Sequence, residues 1–348
     1  MKKPWISGWL LLAVLWLVMP PSVAISADGV AQRFRSYQPN YIIYQATDDD
    51  ENSFEGHYSF RYIITDLDCA AMRNKEAGFV AEKAAQCWPE IYLTYTGEFD
   101  FYVGTRESGP VVNRVSNPAL HWRKYFDGKE AIRIERALGS PEWINISFEH
   151  RSDGQVSPAN ELVDPGGLNE HFRAEDELNA GNHAYFDSIS RGANYVAVET
   201  KHNFKLPRTK DRDCDDLFQC FVLYTSIKPF YLNQDSRIYW GSLANSKVKI
   251  TDYDRYRVIL KNSFRGLIQE GESATLGIEW TVGDSWLMRD SINVNFAFDF
   301  QAKSLFGLPT GPALWPFYVR FHAGPMSTLS NYTKKQRSIG FGLIFQSS

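Results

Sequence analysis

Ser291-Ile292-Asn293-Val294-Asn295-Phe296-Ala297-Phe298-Asp299-Phe300-Gln301 alternates with a period of two. Ile292, Val294, Phe296, Phe298 and Phe300 fall on one side, and Asn293, Asn295, Asp299 and Gln301 on the other. Successive side chains of a strand point to opposite faces, so this stretch reads as a strand with one apolar and one hydrated face. The pattern recurs in both directions along the chain. Residues 275–283 set Leu276, Ile278, Trp280 and Val282 against Glu279 and Thr281. Residues 90–103 set Ile91, Leu93, Tyr95, Phe99, Phe101 and Val103 against Thr94, Thr96, Glu98 and Asp100. The last run, 338–345, sets Ile339, Phe341, Leu343 and Phe345 against Ser338, Gly340 and Gly342.

Two-faced strands of about ten residues are the pattern of a membrane-spanning β-barrel with lipid outside and a polar interior. Only a closed barrel puts so many strands into lipid without leaving unpaired edges. A soluble sandwich shows the same alternation with its polar face turned to water. Three features favour the barrel: Phe and Trp on the apolar faces, an export signal, and an aromatic-rich final strand. Aromatic residues make up 15% of a chain that is only 44% hydrophobic, so the bulky groups are spread along strands rather than pooled in helices. The expected fold is therefore all-β, a twelve-stranded antiparallel transmembrane β-barrel. Its strands are predicted to begin near Tyr41, Tyr58, Ile91, Leu120, Trp143, Ser190, Phe221, Arg255, Ala274, Ser291, Trp315 and Arg337. An even number returns both chain ends to one side of the membrane.

Met1-Lys2-Lys3, the apolar run 9–19 and Ser22-Val23-Ala24 read as an export signal with its cleavage site. An uncleaved anchor is the alternative, although the apolar run is short for a spanning helix. The expected organisation is a signal peptide at 1–24, an N-terminal periplasmic segment at 25–40, and the barrel at 41–348. The barrel carries a long polar loop at 155–187, and loops of that length are usually functional or mobile. A net charge of −4 leaves no basic footprint for nucleic acid. Export to an oxidising compartment favours two disulfides, and proximity favours Cys69–Cys87 and Cys214–Cys220. A zinc site is the competing reading, but no Cys-x-x-Cys or clustered His accompanies these residues.

Chemistry is concentrated in Ile144-Asn145-Ile146-Ser147-Phe148-Glu149-His150-Arg151-Ser152-Asp153-Gly154. Ile144, Ile146 and Phe148 share a face, and the next two positions on it are His150 and Ser152. A general base and a hydroxyl nucleophile then stand side by side on a wall that meets lipid, where polar groups are costly and call for a function. A third group must hold the imidazole in its useful tautomer. Past the long loop, residues 190–198 place Asn194 on the same face as Val196 and Val198. If this is the neighbouring strand, Asn194 meets His150 on the outer wall. An amide oxygen can orient the ring, though it stabilises imidazolium less than a carboxylate does.

These residues carry a resemblance. Phe148-x-His150-x-Ser152-x-Gly154 and Ser190-Arg191-Gly192-Ala193-Asn194-Tyr195 resemble the outer-membrane phospholipase A family of bacteria. Further islands of likeness are Asn40-Tyr41-Ile42-Ile43-Tyr44, Thr105-Arg106-Glu107-Ser108-Gly109-Pro110, Phe317-Tyr318-Val319-Arg320-Phe321 through Asn331-Tyr332, and Arg337-Ser338-Ile339-Gly340-Phe341-Gly342. The resemblance implies a calcium-dependent hydrolase of phospholipid acyl esters (A1, A2 and lysophospholipase type) that works as a homodimer on the outer leaflet of the bacterial outer membrane. It implies Ser152 as nucleophile, His150 as base and Asn194 as orienting residue. It also implies calcium held by the Ser108 and Gln155 carbonyls and the Ser190 hydroxyl, oxygen donors that suit this ion. The chain departs from the family pattern at Asp153, where Asn is usual, and at Ala193 and Tyr195, where Trp and Arg are usual. A porin-like barrel without catalysis and a lipid A deacylase-type hydrolase are the rival functions.

Other candidates have plainer readings. Inward charges such as Glu98, Asp100, Glu279, Asp299 and Arg320 could line a pore or pair within the lumen, and pairing is expected. His171 and His183 are expected to be solvated in the long loop. Gly271-Glu272-Ser273-Ala274-Thr275 mimics a nucleophile elbow without its final Gly or following helix, and is read as a turn.

Overall fold

The computed structural model describes residues 33–48, 52–65, 89–102, 112–126, 140–153, 191–205, 220–232, 250–265, 273–284, 289–301, 304–305, 308–309, 314–325 and 335–345. The strands are β1 (Phe34–Ser36), β2 (Asn40–Thr47), β3 (Asn52–Ile63), β4 (Glu90–Tyr102), β5 (Val112–Tyr125), β6 (Ser140–Asp153), β7 (Arg191–Lys205) and β8 (Cys220–Leu232). They continue with β9 (Tyr256–Arg265), β10 (Ser273–Val282), β11 (Ser291–Gln301), β12 (Ser304–Leu305), β13 (Leu308–Pro309), β14 (Leu314–Gly324) and β15 (Gln336–Phe345). β2 to β11 with β14 and β15 form a closed antiparallel barrel of twelve strands. The sheet closes where β15 pairs with β2, Phe345 facing Asn40 and Ser338 facing Thr47. β1 runs along the lower part of β3, with Phe34 opposite Tyr62. β12 and β13 form a small separate hairpin.

The alternation sorts side chains between lipid and lumen as the sequence pattern requires. Phe148 is 48% exposed and Phe341 54% exposed on the outside, whereas Asn145 and Ser147 on the other face of β6 are at most 1% exposed. Polar groups in the lumen must find partners, because an unpaired buried one costs about 1–3 kcal/mol. Arg320 on β14 forms an ion pair with Glu55 and donates to Tyr41 Oη at 2.7 Å and Gln45 Oε1 at 2.8 Å, tying β14 to β2 and β3 across the closure. Arg257 binds both Glu279 oxygens, at 2.8 and 2.9 Å. Glu98 faces Arg151 at 3.8 Å and His57 at 4.0 Å. The predicted pairing of Glu98, Glu279 and Arg320 is what the lumen contains, and the side chain of Asp299 lies outside the described residues.

Ten of the predicted strand starts fall within three residues of the observed ones, and two do not. β3 begins at Asn52 rather than near Tyr58. Its outward face reads Phe54, Gly56, Tyr58, Phe60, and the glycine interrupts the apolar signal. In the barrel the Phe99 ring from β4 covers that gap: a Cβ on Gly56 would stand only 2.2 Å from the Phe99 ring. β5 begins at Val112 rather than near Leu120, because its outward residues before Leu120 include Ser116 and Pro118 instead of apolar groups. Ser273-Ala274-Thr275, read as part of a turn, opens β10 instead, since the pairing with β9 begins at Ser273. Residues 1–32, the loop 155–187, Cys69, Cys87, Cys214, His171 and His183 lie outside the described residues, as does the side chain of Cys220.

Candidate active site on the outer wall

β6 and β7 pair so that Phe148 faces Val196, His150 faces Asn194 and Ser152 faces Gly192. The luminal side of β7 carries Ala193, Tyr195 and Ala197, all buried, so Asn194 with Val196 and Val198 points outward. His150, Ser152 and Asn194 therefore share the outer wall, each half-buried. The His150 Nδ1 lies 2.8 Å from the Asn194 Oδ1. An amide oxygen only accepts, so Nδ1 carries the ring proton and donates it to Asn194, leaving the Nε2 lone pair available as a base.

Ser152 stands one strand repeat beyond His150 on the same face. A Cβ placed on Gly192 would lie 3.7 Å from the Ser152 Cβ and 3.9 Å from the His150 Cε1. The serine and the imidazole edge thus flank one space, which stays open because residue 192 has no side chain.

The surroundings divide by height on the wall. Level with Ser152 lie Ser116, Gly97 and Tyr58 on successive strands. Ser116 donates to the Tyr95 phenol at 2.8 Å. One residue pair lower, the unchanged β5–β6 register puts Pro118 opposite His150, and Leu232 faces Asn194. The next row down is apolar: Leu93, Leu120, Phe148, Val196 and Phe230. Leu120 is 47% and Phe230 63% exposed. A hydroxyl-lined ledge above an apolar wall matches the order of groups in a lipid, polar esters above acyl chains.

The site lies at the barrel end opposite the Asn40–Phe345 pair, because the alternating antiparallel strands from β2 onward put Ser140 of β6 at that end and Asp153 at the far rim. Sequence reading named His150, Ser152 and Asn194, which the register brings together. It did not assign Gly192, Ser116 or Tyr95 to the site. Gly192 could have been found from its position two residues before Asn194 on the same face. Ser116 could not, since its level depends on the β5–β6 register. Ser108, Gln155 and Ser190, named for calcium, lie outside the described residues. Among the described residues, no cluster of three or more His, Cys, Asp and Glu is placed to hold a metal.

No protein-family model matches the chain, and no curated protein matches it in sequence. Solved structures do. The outer membrane phospholipase A of Escherichia coli is 12% identical over 91% of this chain and 97% of its own, with a TM-score of 0.52. An active-site mutant of that enzyme aligns over 94% and 99% at the same identity and TM-score. A calcium-bound dimer of the Salmonella typhi outer membrane phospholipase is 13% identical over 90% and 91%, with a TM-score of 0.51. The likeness at this identity is one of fold, a closed twelve-stranded barrel with an apolar outer wall, and such a barrel fits the bacterial outer membrane.

Proposed function

We propose that this protein is an outer-membrane phospholipase A in which Ser152 is the nucleophile, His150 the general base and Asn194 the residue that orients the imidazole. The observation that carries the reading is the 2.8 Å contact between His150 Nδ1 and Asn194 Oδ1 on the lipid-facing wall, beside Ser152. Three polar groups on that wall are expensive without a function. Ser152 Oγ attacks the acyl carbonyl carbon while His150 Nε2 takes its proton. The tetrahedral centre collapses, the ester oxygen of the glycerol leaves with that proton, and an acyl-enzyme remains. Water then attacks the acyl-enzyme with the same base, and the fatty acid is released. The apolar row below the site receives the acyl chain and holds the carbonyl at the height of Ser152.

Calcium suits the oxygen donors named for it, the Ser108 and Gln155 carbonyls and the Ser190 hydroxyl. Bound there, it supplies positive charge for the oxyanion. We place the active form as a homodimer that acts on phospholipid in the outer leaflet.

The test is labelling with a serine-reactive phosphonate, with and without calcium chelation, on the parent protein and on Ser152→Ala. The reading requires calcium-dependent labelling that Ser152→Ala abolishes, together with loss of phospholipid hydrolysis while the barrel still folds. Activity retained by Ser152→Ala rejects the mechanism. Ion conductance without any labelling marks a passive barrel, and cleavage confined to lipopolysaccharide marks a lipid A deacylase.

A further inference from the structure

Glu149 is a luminal carboxyl group directly behind the proposed base, and the chemistry above does not use it. We infer that Glu149, with Asn117, Ser147 and Tyr195, is a staple that sets the His150–Asn194 geometry from the luminal side of the wall. This rests on the roles proposed for His150 and Asn194.

One carboxyl group gathers hydrogen bonds from three strands. Ser147 Oγ on β6 donates to Oε1 at 2.6 Å. Tyr195 Oη on β7 donates to Oε2 at 2.9 Å, and Asn117 Nδ2 on β5 donates to Oε2 at 3.2 Å. Glu149 faces Tyr195 in the register immediately next to the His150–Asn194 pair. Each member of that outer pair is therefore the chain neighbour of a staple residue.

The strand pairing is irregular on both flanks of this place. Pro118 lies opposite His150 and has no N–H to give the ladder, and no paired residues join β5 to β6 between Ser116–Ser152 and Ala119–Glu149. On the other flank, the β7–β8 register shifts between Val196 and Val198. Such bulges re-aim side chains beside active sites. Side-chain bonds from the lumen supply what the ladder lacks there. Tyr195 is held in turn by Lys228, 4.5 Å from its ring centre, and by the Tyr231 ring at 5.4 Å. The staple leaves the outer face free for substrate.

The experiment uses the folded barrel in detergent micelles. Glu149→Leu, Glu149→Gln and Tyr195→Phe are compared for kcat and KM on a short-chain phospholipid. The His150 Nδ1–H proton resonance is followed in protein labelled with 15N-histidine and assigned by its disappearance in His150→Gln. Glu149→Leu is expected to lose or broaden that resonance and to lower kcat about ten- to hundredfold, with KM shifted less than about twofold. Glu149→Gln still accepts from Tyr195 and should recover the resonance and most of kcat. A folded Glu149→Leu barrel that keeps the parental resonance and kcat overturns the inference. If Glu149→Leu does not fold, Tyr195→Phe decides: a shifted resonance supports the staple, and an unchanged resonance with unchanged kcat removes it. Should the parent hydrolyse no ester, the enzyme reading fails, while the resonance still reads the staple.

Discussion

His150 and Asn194 face each other across adjacent strands and share a 2.8 Å hydrogen bond on the outer wall of the barrel. They are 44 residues apart in sequence, and only the β6–β7 register joins them. Removing the acceptor should free the imidazole to adopt the wrong tautomer. Asn194→Ala is expected to lower kcat by roughly one to three orders of magnitude, with the larger part of the loss in kcat rather than KM. Asn194→Asp keeps an acceptor at the same position and should lose far less. Steady-state hydrolysis of a phospholipid by the two variants checks this, and equal losses would count against an orienting role.

The space between Ser152 and His150 depends on the missing side chain at 192. A methyl group there meets its neighbours at 3.7–3.9 Å, ordinary contact distances, so Gly192→Ala should fold as the parent does. It should nevertheless narrow the cleft and lower kcat/KM several-fold, about 1 kcal/mol of lost transition-state binding. Gly192→Leu should fill the cleft and abolish hydrolysis without changing the heat-modifiable migration of the folded barrel. Parental activity in Gly192→Leu would place the substrate elsewhere.

The Arg320–Glu55 pair closes the barrel from inside, and both side chains are less than one fifth exposed. Arg320→Met leaves the Glu55 carboxylate without its main partner and is expected to cost about 3–5 kcal/mol. Replacing both, Arg320→Met with Glu55→Gln, should restore most of that loss, since the isolated charge is then gone. Urea midpoints of barrels refolded into lipid vesicles measure both, and a double variant no more stable than the single one would contradict the pairing argument.

The bend before β9 contributes a pH dependence. Burial by itself would raise the Asp254 carboxyl, but Lys228 and Arg151 outweigh it and hold it below the ordinary aspartate range. A carboxyl lowered in the folded state stabilises fully above its unfolded value, about pH 4, and that contribution fades as pH falls through the lowered folded value. Asp254→Asn should therefore be less stable than the parent at pH 7, with the difference shrinking below about pH 4. Unfolding midpoints taken between pH 7 and pH 2.5 test the sign.

The legible parts of this protein are those fixed by the two-residue period of a strand. Ile146, Phe148, His150 and Ser152 share a face because of chain geometry alone, and so do Asn194, Val196 and Val198. Misplaced strand starts mark where a neighbour supplied what the local sequence lacked: the Phe99 ring stands in for a side chain at Gly56. The first half of β5 escaped notice because its outward residues, Ser116 and Pro118, border the site instead of greasing the wall. Tyr195 looked like a departure from a family pattern, and in the barrel it is the inward partner of Glu149.

The sequence by itself determined which side chains look outward, that the strands must close on themselves, and which hydroxyl and imidazole stand together. Only the tertiary structure decided that Asn194 meets His150, that Ser116 and Gly192 flank Ser152, and that Glu149 stands behind the pair. The physical reason is register. Periodicity along one strand assigns a face, but a slip of one residue between strands changes every cross-strand neighbour, and pairing, bulges and luminal hydrogen bonds settle that slip together.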